Sequence, residues 1–243
     1  MKKRMYVLGV AALLAALLAL SGVAQSAMWV GAELGGNFQP GTKMTASAFG
    51  LSASTNADIK ASVIGGATIG YDFVNAGFGA YAWPDWMKYF SFAMDLTYNR
   101  VDVNASNSGL GALLAPGSRL NGYEVAWTFL FMAHYGFLPD SEVPGGRINP
   151  YIGVGPAIVW TGVDFKVSGD RTPPVTRWEF GQNAMNVALV VEPGIRWVCF
   201  KNVSVDTAFR YRYSVPSWGN NNVTVKANPL NQLAFLLRAN YHF

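Results

Sequence analysis

Leu233-Ala234-Phe235-Leu236-Leu237-Arg238-Ala239-Asn240-Tyr241-His242-Phe243 closes the sequence. Leu233, Phe235, Leu237, Ala239, Tyr241 and Phe243 fall on one face of an extended chain, and Ala234, Leu236, Arg238, Asn240 and His242 on the other. This is the period of two that a half-buried strand requires. The first face is apolar throughout and the second is mixed. A water-soluble sheet would have to cover that first face, whereas a sheet facing lipid would not.

Seven further segments carry the same period. Met28 to Phe38 sets Met28, Val30, Ala32, Leu34 and Phe38 against Trp29, Gly31, Glu33, Gly35 and Asn37, and the second set is expected to face an interior. Ala61 to Phe73 follows, its pattern thinned by Gly65, Gly66 and Gly70, which suit tight curvature. Phe90 to Asn99 alternates Phe90, Phe92, Met94, Leu96 and Tyr98 with small or polar residues that include Asp95. Next, Tyr123 to Tyr135 opposes Tyr123, Val125, Trp127, Phe129 and Phe131 to Glu124, Ala126, Thr128, Leu130 and Met132. Pro150 to Phe165, Met185 to Trp197 and Val203 to Val215 complete the set, and Pro156 and Pro193 are expected to mark bulges. Eight strands result, and a further pair hidden in the first long connection, Gln39 to Lys60, stays open. That stretch reads as a loop rich in Ser, Thr, Ala and Gly, and Pro216 to Pro229 as a polar loop.

Composition agrees with strands in lipid. Hydrophobic residues make up 51% and aromatic residues 14%, while charged residues are only 13%, about half the usual share of a soluble domain. Past the N-terminal run no apolar stretch of ~18 residues occurs, so spanning helices are not expected. Lys2, Lys3 and Arg4 precede an apolar segment from Met5 to about Leu20, and small residues follow at Ser21, Gly22, Ala24, Ser26 and Ala27. This reads as a secretory signal peptide over 1–26, cleaved within about three residues of that boundary, which leaves 27–243 as one barrel domain. Without its three head-group cations the chain keeps 15 basic against 14 acidic residues, so its apparent basicity gives no reason to expect nucleic acid. The single cysteine, Cys199, excludes an internal disulfide and is expected to pack near the inner rim.

The terminal phrase, with Phe235, Leu237, Tyr241 and Phe243 two or four apart, resembles the C-terminal signature read by the barrel-assembly machinery of the bacterial outer membrane. The phrase from Asn149 to Gly155 resembles one that recurs in small outer-membrane barrels, and the whole mature chain resembles the OmpA-like and OmpX-like superfamily. What the resemblance implies is an all-β fold, a membrane-spanning antiparallel up-and-down barrel with both termini periplasmic and its longer loops extracellular. It further implies outer-membrane lipid and lipopolysaccharide as surroundings, the assembly machinery as a partner during biogenesis, and a monomer.

In such a barrel Glu33, Asp95, Glu124, Glu192, Arg210 and Arg238 all point into the lumen. Charges in a narrow lumen must pair, because an isolated buried ion costs several kcal/mol or more. Two mechanisms follow. Contact of Arg210 and Arg238 with Glu33 and Glu192 would make a plug, in a structural or surface-interaction protein. A water path past the two arginines would make a narrow channel of the OmpW type for small or hydrophobic solutes. A lipid-modifying enzyme would need a histidine-centred group at the outer rim. The only two histidines, His134 and His242, map to the periplasmic end and are expected to be satisfied there, so no enzyme is expected. No catalytic, cofactor or metal site is expected either, since Cys199 and the separated histidines lack ligand spacing. Trp29, Trp127, Trp197, Tyr135, Tyr211, Tyr213 and Tyr241 are expected in the interfacial aromatic belts.

Overall fold

A computed structural model describes residues 28–48, 51–73, 83–104, 119–166, 179–215, 217–219, 223–227 and 229–243. The signal peptide expected over 1–26 lies outside these residues. The strands are β1 (Met28–Phe38), β2 (Thr42–Ala48), β3 (Leu51–Ile59), β4 (Ser62–Asp72), β5 (Phe90–Asn104) and β6 (Arg119–His134). They continue with β7 (Ile148–Lys166), β8 (Glu179–Phe200), β9 (Val203–Ser214), β10 (Ser217–Gly219), β11 (Val223–Ala227) and β12 (Leu230–His242). One short 3₁₀ turn, Asp85–Tyr89, precedes β5.

Eight of these strands close on themselves. Each of β1, β4, β5, β6, β7, β8, β9 and β12 hydrogen-bonds its neighbours in that order, and β1 pairs with β12 from Trp29↔His242 to Phe38↔Leu233. All the pairings are antiparallel. Closure leaves the barrel wall without a free edge, the condition for placing strands in hydrocarbon, where an unpaired amide costs several kcal/mol. The terminal N–H of Phe243 donates to the Met28 carbonyl at 3.0 Å, so the last residue locks onto the first described one. Both ends lie beside the two-residue turn Lys201–Asn202 between β8 and β9, the short-turn side that is periplasmic in this architecture.

The alternation read from the sequence sorts inside from outside. Along β12 every second residue from Leu230 to His242 is buried, while Phe235, Leu237 and Tyr241 are about half exposed on the outer face. Leu96, Tyr98, Trp127, Phe131, Ile152, Leu189, Trp197 and Phe209 continue that apolar outer surface around the wall.

Several expectations are corrected. Gln39 to Lys60 is no loop: it holds the β2–β3 hairpin, paired from Thr42↔Ala57 to Ala48↔Leu51. Within Pro216 to Pro229, β10 and β11 pair with each other, and β11 pairs with β2. These four strands continue β1, β4, β9 and β12 beyond the ring on the side away from the chain ends; they do not enlarge it. Their period is carried mostly by small residues, with Ala46 and Ala48 opposite Ala53 and Leu51, set among Ser and Thr, so the stretch reads as a loop. Pro156 and Pro193 produce no bulge. Each interrupts one ladder over two residues, between Thr128↔Ala157 and Phe131↔Val154 and between Val191↔Tyr211 and Gly194↔Ala208, with the register unchanged. The register shift falls between Val198 and Phe200, at Cys199, which is exposed and not packed.

Large lumen side chains are seated on glycines of the facing strand. Trp29 is paired with Gly70 and Tyr151 with Gly194, and a Cβ on either glycine would strike the partner's ring. Trp29 is therefore wholly buried in the lumen and does not belong to an interfacial belt. Glycine in a strand costs stability by itself, and an aromatic ring laid over it restores the packing.

Candidate functional site

The lumen is filled by three tiers of charge. In the periplasmic tier, Arg196 of β8 reaches Asp206 of β9 at 3.3 Å and Asp72 of β4 at 3.4 Å. Its guanidinium lies 4.7 Å from the Trp29 ring centroid, and Trp29 Nε1 donates to Asp72 Oδ1 at 3.3 Å. Ser204 Oγ and His242 Nε2 are 2.9 Å apart, and Asn240 Nδ2 donates to the same hydroxyl at 3.2 Å. His134 lies near Asp72 and Arg196 of this tier, its ring hydrogen-bonded to the Phe90 backbone while its Nε2 is buried without a partner.

The middle tier joins residues far apart in sequence. Arg210 Nε donates to Glu192 Oε2 at 2.6 Å, and its two terminal nitrogens bond the Asp95 carboxylate. Arg238 Nε donates to Glu33 Oε2 at 2.6 Å, while its terminal nitrogens grip both Glu192 oxygens at 2.7 and 3.0 Å. The Tyr151 hydroxyl accepts from Arg238 at 3.1 Å and donates to Glu192 at 3.2 Å. Three carboxylates thus surround two guanidinium groups, all with side chains at most 2% exposed. Paired, fork-shaped hydrogen bonds of this kind are the geometry in which arginine is held best.

The upper tier is built on Glu124. Arg212 Nη1 donates to Glu124 Oε1 at 2.7 Å and to Gln232 Oε1 at 3.1 Å, and Gln232 Nε2 donates to both Glu124 oxygens at 2.9 Å.

Of the six lumen charges named from the sequence, the structure joins Glu33, Asp95, Glu192, Arg210 and Arg238 in one cluster and sets Glu124 in the tier above. Arg196, Asp206, Arg212 and Gln232 were missed, although they share the parity of Glu192, Arg210 and Arg238 on their strands. Following that parity along the whole strand finds them. Asp72 is different, since it sits at a strand end where the period gives no direction. Among the described residues no group of three His, Cys, Asp or Glu is arranged to hold a metal ion. The Ser204 side of the serine–histidine pair has no accessible surface.

The barrel fold has a counterpart among solved structures. The crystal structure of the outer membrane protein OprG from Pseudomonas aeruginosa superposes with a TM-score of 0.58, covering 91% of this chain and 98% of that one at 11% identity. The chain folds as an outer-membrane β-barrel. Two other barrels align over most of their length with lower scores. Neisserial surface protein A has a TM-score of 0.41 at 15% identity, covering 89% of this chain and 97% of its own. The outer membrane protein AlkL, determined in lipid bilayers, has 0.42 at 15% identity, covering 91% and 92%. No protein-family model matches the sequence, and neither does any curated protein. For an outer-membrane barrel of eight strands the lumen is just wide enough for side chains, and here side chains occupy it.

Proposed function

We propose that the chain is an integral outer-membrane barrel of structural or surface-interaction type, exported by a cleaved signal peptide, with its lumen closed by ion pairs. The observation that carries this reading is the middle tier, in which Arg210 and Arg238 are each held by two carboxylates from other strands, Asp95 reaching Arg210 from the opposite wall. A guanidinium so held does not yield to a passing ion without leaving buried carboxylates uncompensated, at a cost of about 3–5 kcal/mol. The extracellular extension of β2, β3, β10 and β11 supplies the surface for contacts outside the membrane. Lipopolysaccharide and outer-membrane lipid surround the wall, and the assembly machinery reads the strand that ends at Phe243.

Single-channel recording in a planar bilayer tests the closure. The refolded protein is expected to be silent, and Arg210→Ala and Arg238→Ala to be silent or to show brief openings. Steady, discrete conductance of the unmodified protein would overturn the reading in favour of a narrow channel.

A further inference from the structure

The three tiers are not equally balanced in charge. In the upper tier Glu124 meets Arg212 one to one, both with side chains 3% exposed. The periplasmic tier sets Asp72 and Asp206 against Arg196, but the Asp72 side chain is 20% exposed at the mouth, within reach of water. The middle tier is both sealed and uneven. Glu33, Asp95 and Glu192 face only Arg210 and Arg238, and none of the five side chains is more than 2% exposed. Three ionised carboxyl groups there would leave one negative charge without a counter-charge. A buried ion of that kind is ordinarily neutralised.

Hydrogen bonds single out which carboxyl group is the least supported as an anion. Glu192 accepts four, from Arg210, from Tyr151 and twice from Arg238. Asp95 has a guanidinium donor of Arg210 on each oxygen. Glu33 accepts one, from Arg238 Nε on Oε2 at 2.6 Å, and its Oε1 is buried without a partner. The sequence accounts for that gap. The neighbours of Glu33 on the inner face of β1 are Gly31 and Gly35, and its cross-strand partner on β4 is Gly66, so none of the three brings a side chain to it. Thr68, the next inward residue of β4, gives its hydroxyl proton to the Met94 carbonyl at 3.3 Å.

The charged and titratable groups around Glu33 are Arg238 from β12, Arg210 from β9, Asp95 from β5, Glu192 from β8 and Tyr151 from β7. β6 sends Glu124 into the tier above and His134 into the tier below. Carboxyl groups crowded in this way do not all ionise, and the proton settles where the anion gains least from hydrogen bonds.

We propose that the middle tier binds one proton, carried on Glu33 Oε1, so that two carboxylates match two guanidinium groups. Oε2 stays the acceptor for Arg238, and the plug is electrically neutral at this level. The inference rests on the closed lumen proposed above, since a water-filled path would hydrate the third charge. Loss of the proton in alkaline medium leaves that charge uncompensated and loosens the plug.

Infrared difference spectroscopy of the refolded protein in lipid vesicles at neutral pH tests it, because a protonated carboxyl group has a carbonyl band of its own that shifts in heavy water. The band is expected in the unmodified protein and in Glu124→Gln, and is expected to vanish in Glu33→Gln. Heat-modifiable migration selects the variants that fold. Urea unfolding in the same vesicles gives a second readout. Between about pH 5 and 7 the folded chain holds one proton more than the unfolded one, so rising pH draws the equilibrium toward the unfolded chain. The unfolding constant of the unmodified protein is therefore expected to climb about tenfold per pH unit relative to that of Glu33→Gln. A ratio that stays flat, an absent band, or a band that survives Glu33→Gln would overturn the bound proton. If the bilayer recording is silent in that case, the closed lumen stands without the proton; steady conductance removes both.

Discussion

Arg210 and Arg147 show how differently the same side chain behaves inside the lumen and at its rim. Arg210 has a side chain 1% exposed and touches Asp95 and Glu192, so Arg210→Ala strands Asp95 in a closed space and leaves three carboxyl groups to Arg238 alone. The expected cost is about 3–5 kcal/mol, read as a lower urea midpoint for the protein folded in lipid vesicles. Adding Glu192→Gln is expected to recover part of that loss, because two carboxyl groups and not three then share Arg238. Recovery of nothing would mean that Glu192 is held chiefly by Arg238. Arg147 lies in the periplasmic turn between β6 and β7, where it pairs with Asp140 and Glu142 and donates to the Val198 and Cys199 carbonyls. The backbone N–H of Val143, the Arg147 guanidinium and the N–H of Glu142 hold the Asp140 carboxyl below its ordinary value of 3.8. A depressed carboxyl stabilises the turn above its unfolded value, and that contribution disappears as pH falls through the folded one. Hydrogen exchange of the Glu142 and Val143 amides, corrected for intrinsic rates, is therefore expected to stay slow from pH 8 to about 4 and to accelerate only below that. Acceleration already at about pH 6 would exclude Asp140 as the clasp.

Strands divide into those that lipid makes necessary and those that it does not. The eight ring strands are legible because lipid imposes strict alternation on them, and in β9 from Ser204 to Ser214 every second residue is buried. β2, β3, β10 and β11 stand beyond the closed ring, and the alternation in β2 and β3 is carried mostly by small residues such as Ala46, Ala48, Ala53 and Ala57. They are held by the backbone ladder and by contacts such as Thr45 Oγ1 with Ser54 Oγ at 3.0 Å, and a run of Ser, Thr and Ala reads as readily as a loop. The same division explains the charged tiers. Direction into the lumen follows from parity, so Glu33, Glu192, Arg210 and Arg238 can be placed from sequence. Which acid meets which arginine depends on stagger between strands, as when Arg210 reaches Asp95 across 115 residues. Because the ring is hydrogen-bonded independently of the extracellular hairpin, replacing residues 42–59 with a short Gly-Ser turn is expected to leave a heat-modifiable barrel with an unchanged band shift on a detergent gel. Loss of the folded band would mean that β2 and β3 are needed to close β1 against β4.

Closure of the whole molecule is decided where its two ends meet, and there two roles of one residue can be separated. Phe243 donates its backbone N–H to Met28, and its ring packs edge-on against Tyr241 at 5.4 Å between centroids. Neither contact is large beside the β1–β12 ladder, which runs through ten residue pairs from Trp29↔His242 to Phe38↔Leu233. One hydrogen bond is worth about 0.5–1.5 kcal/mol net and an aromatic pair about the same. Deleting Phe243 should therefore lower stability by no more than about 3 kcal/mol and leave refolding into thin-bilayer vesicles nearly complete. The assembly role proposed for this residue poses a different demand, since there the terminal aromatic would act as a recognition element before the barrel exists. The truncated chain is expected to reach the outer membrane several-fold less than the full chain while refolding comparably in vitro. Equal losses in both settings would make Phe243 a clasp of the closed barrel and nothing more, and the assembly signal would have to be sought in Phe235, Leu237 and Tyr241 on the face above it.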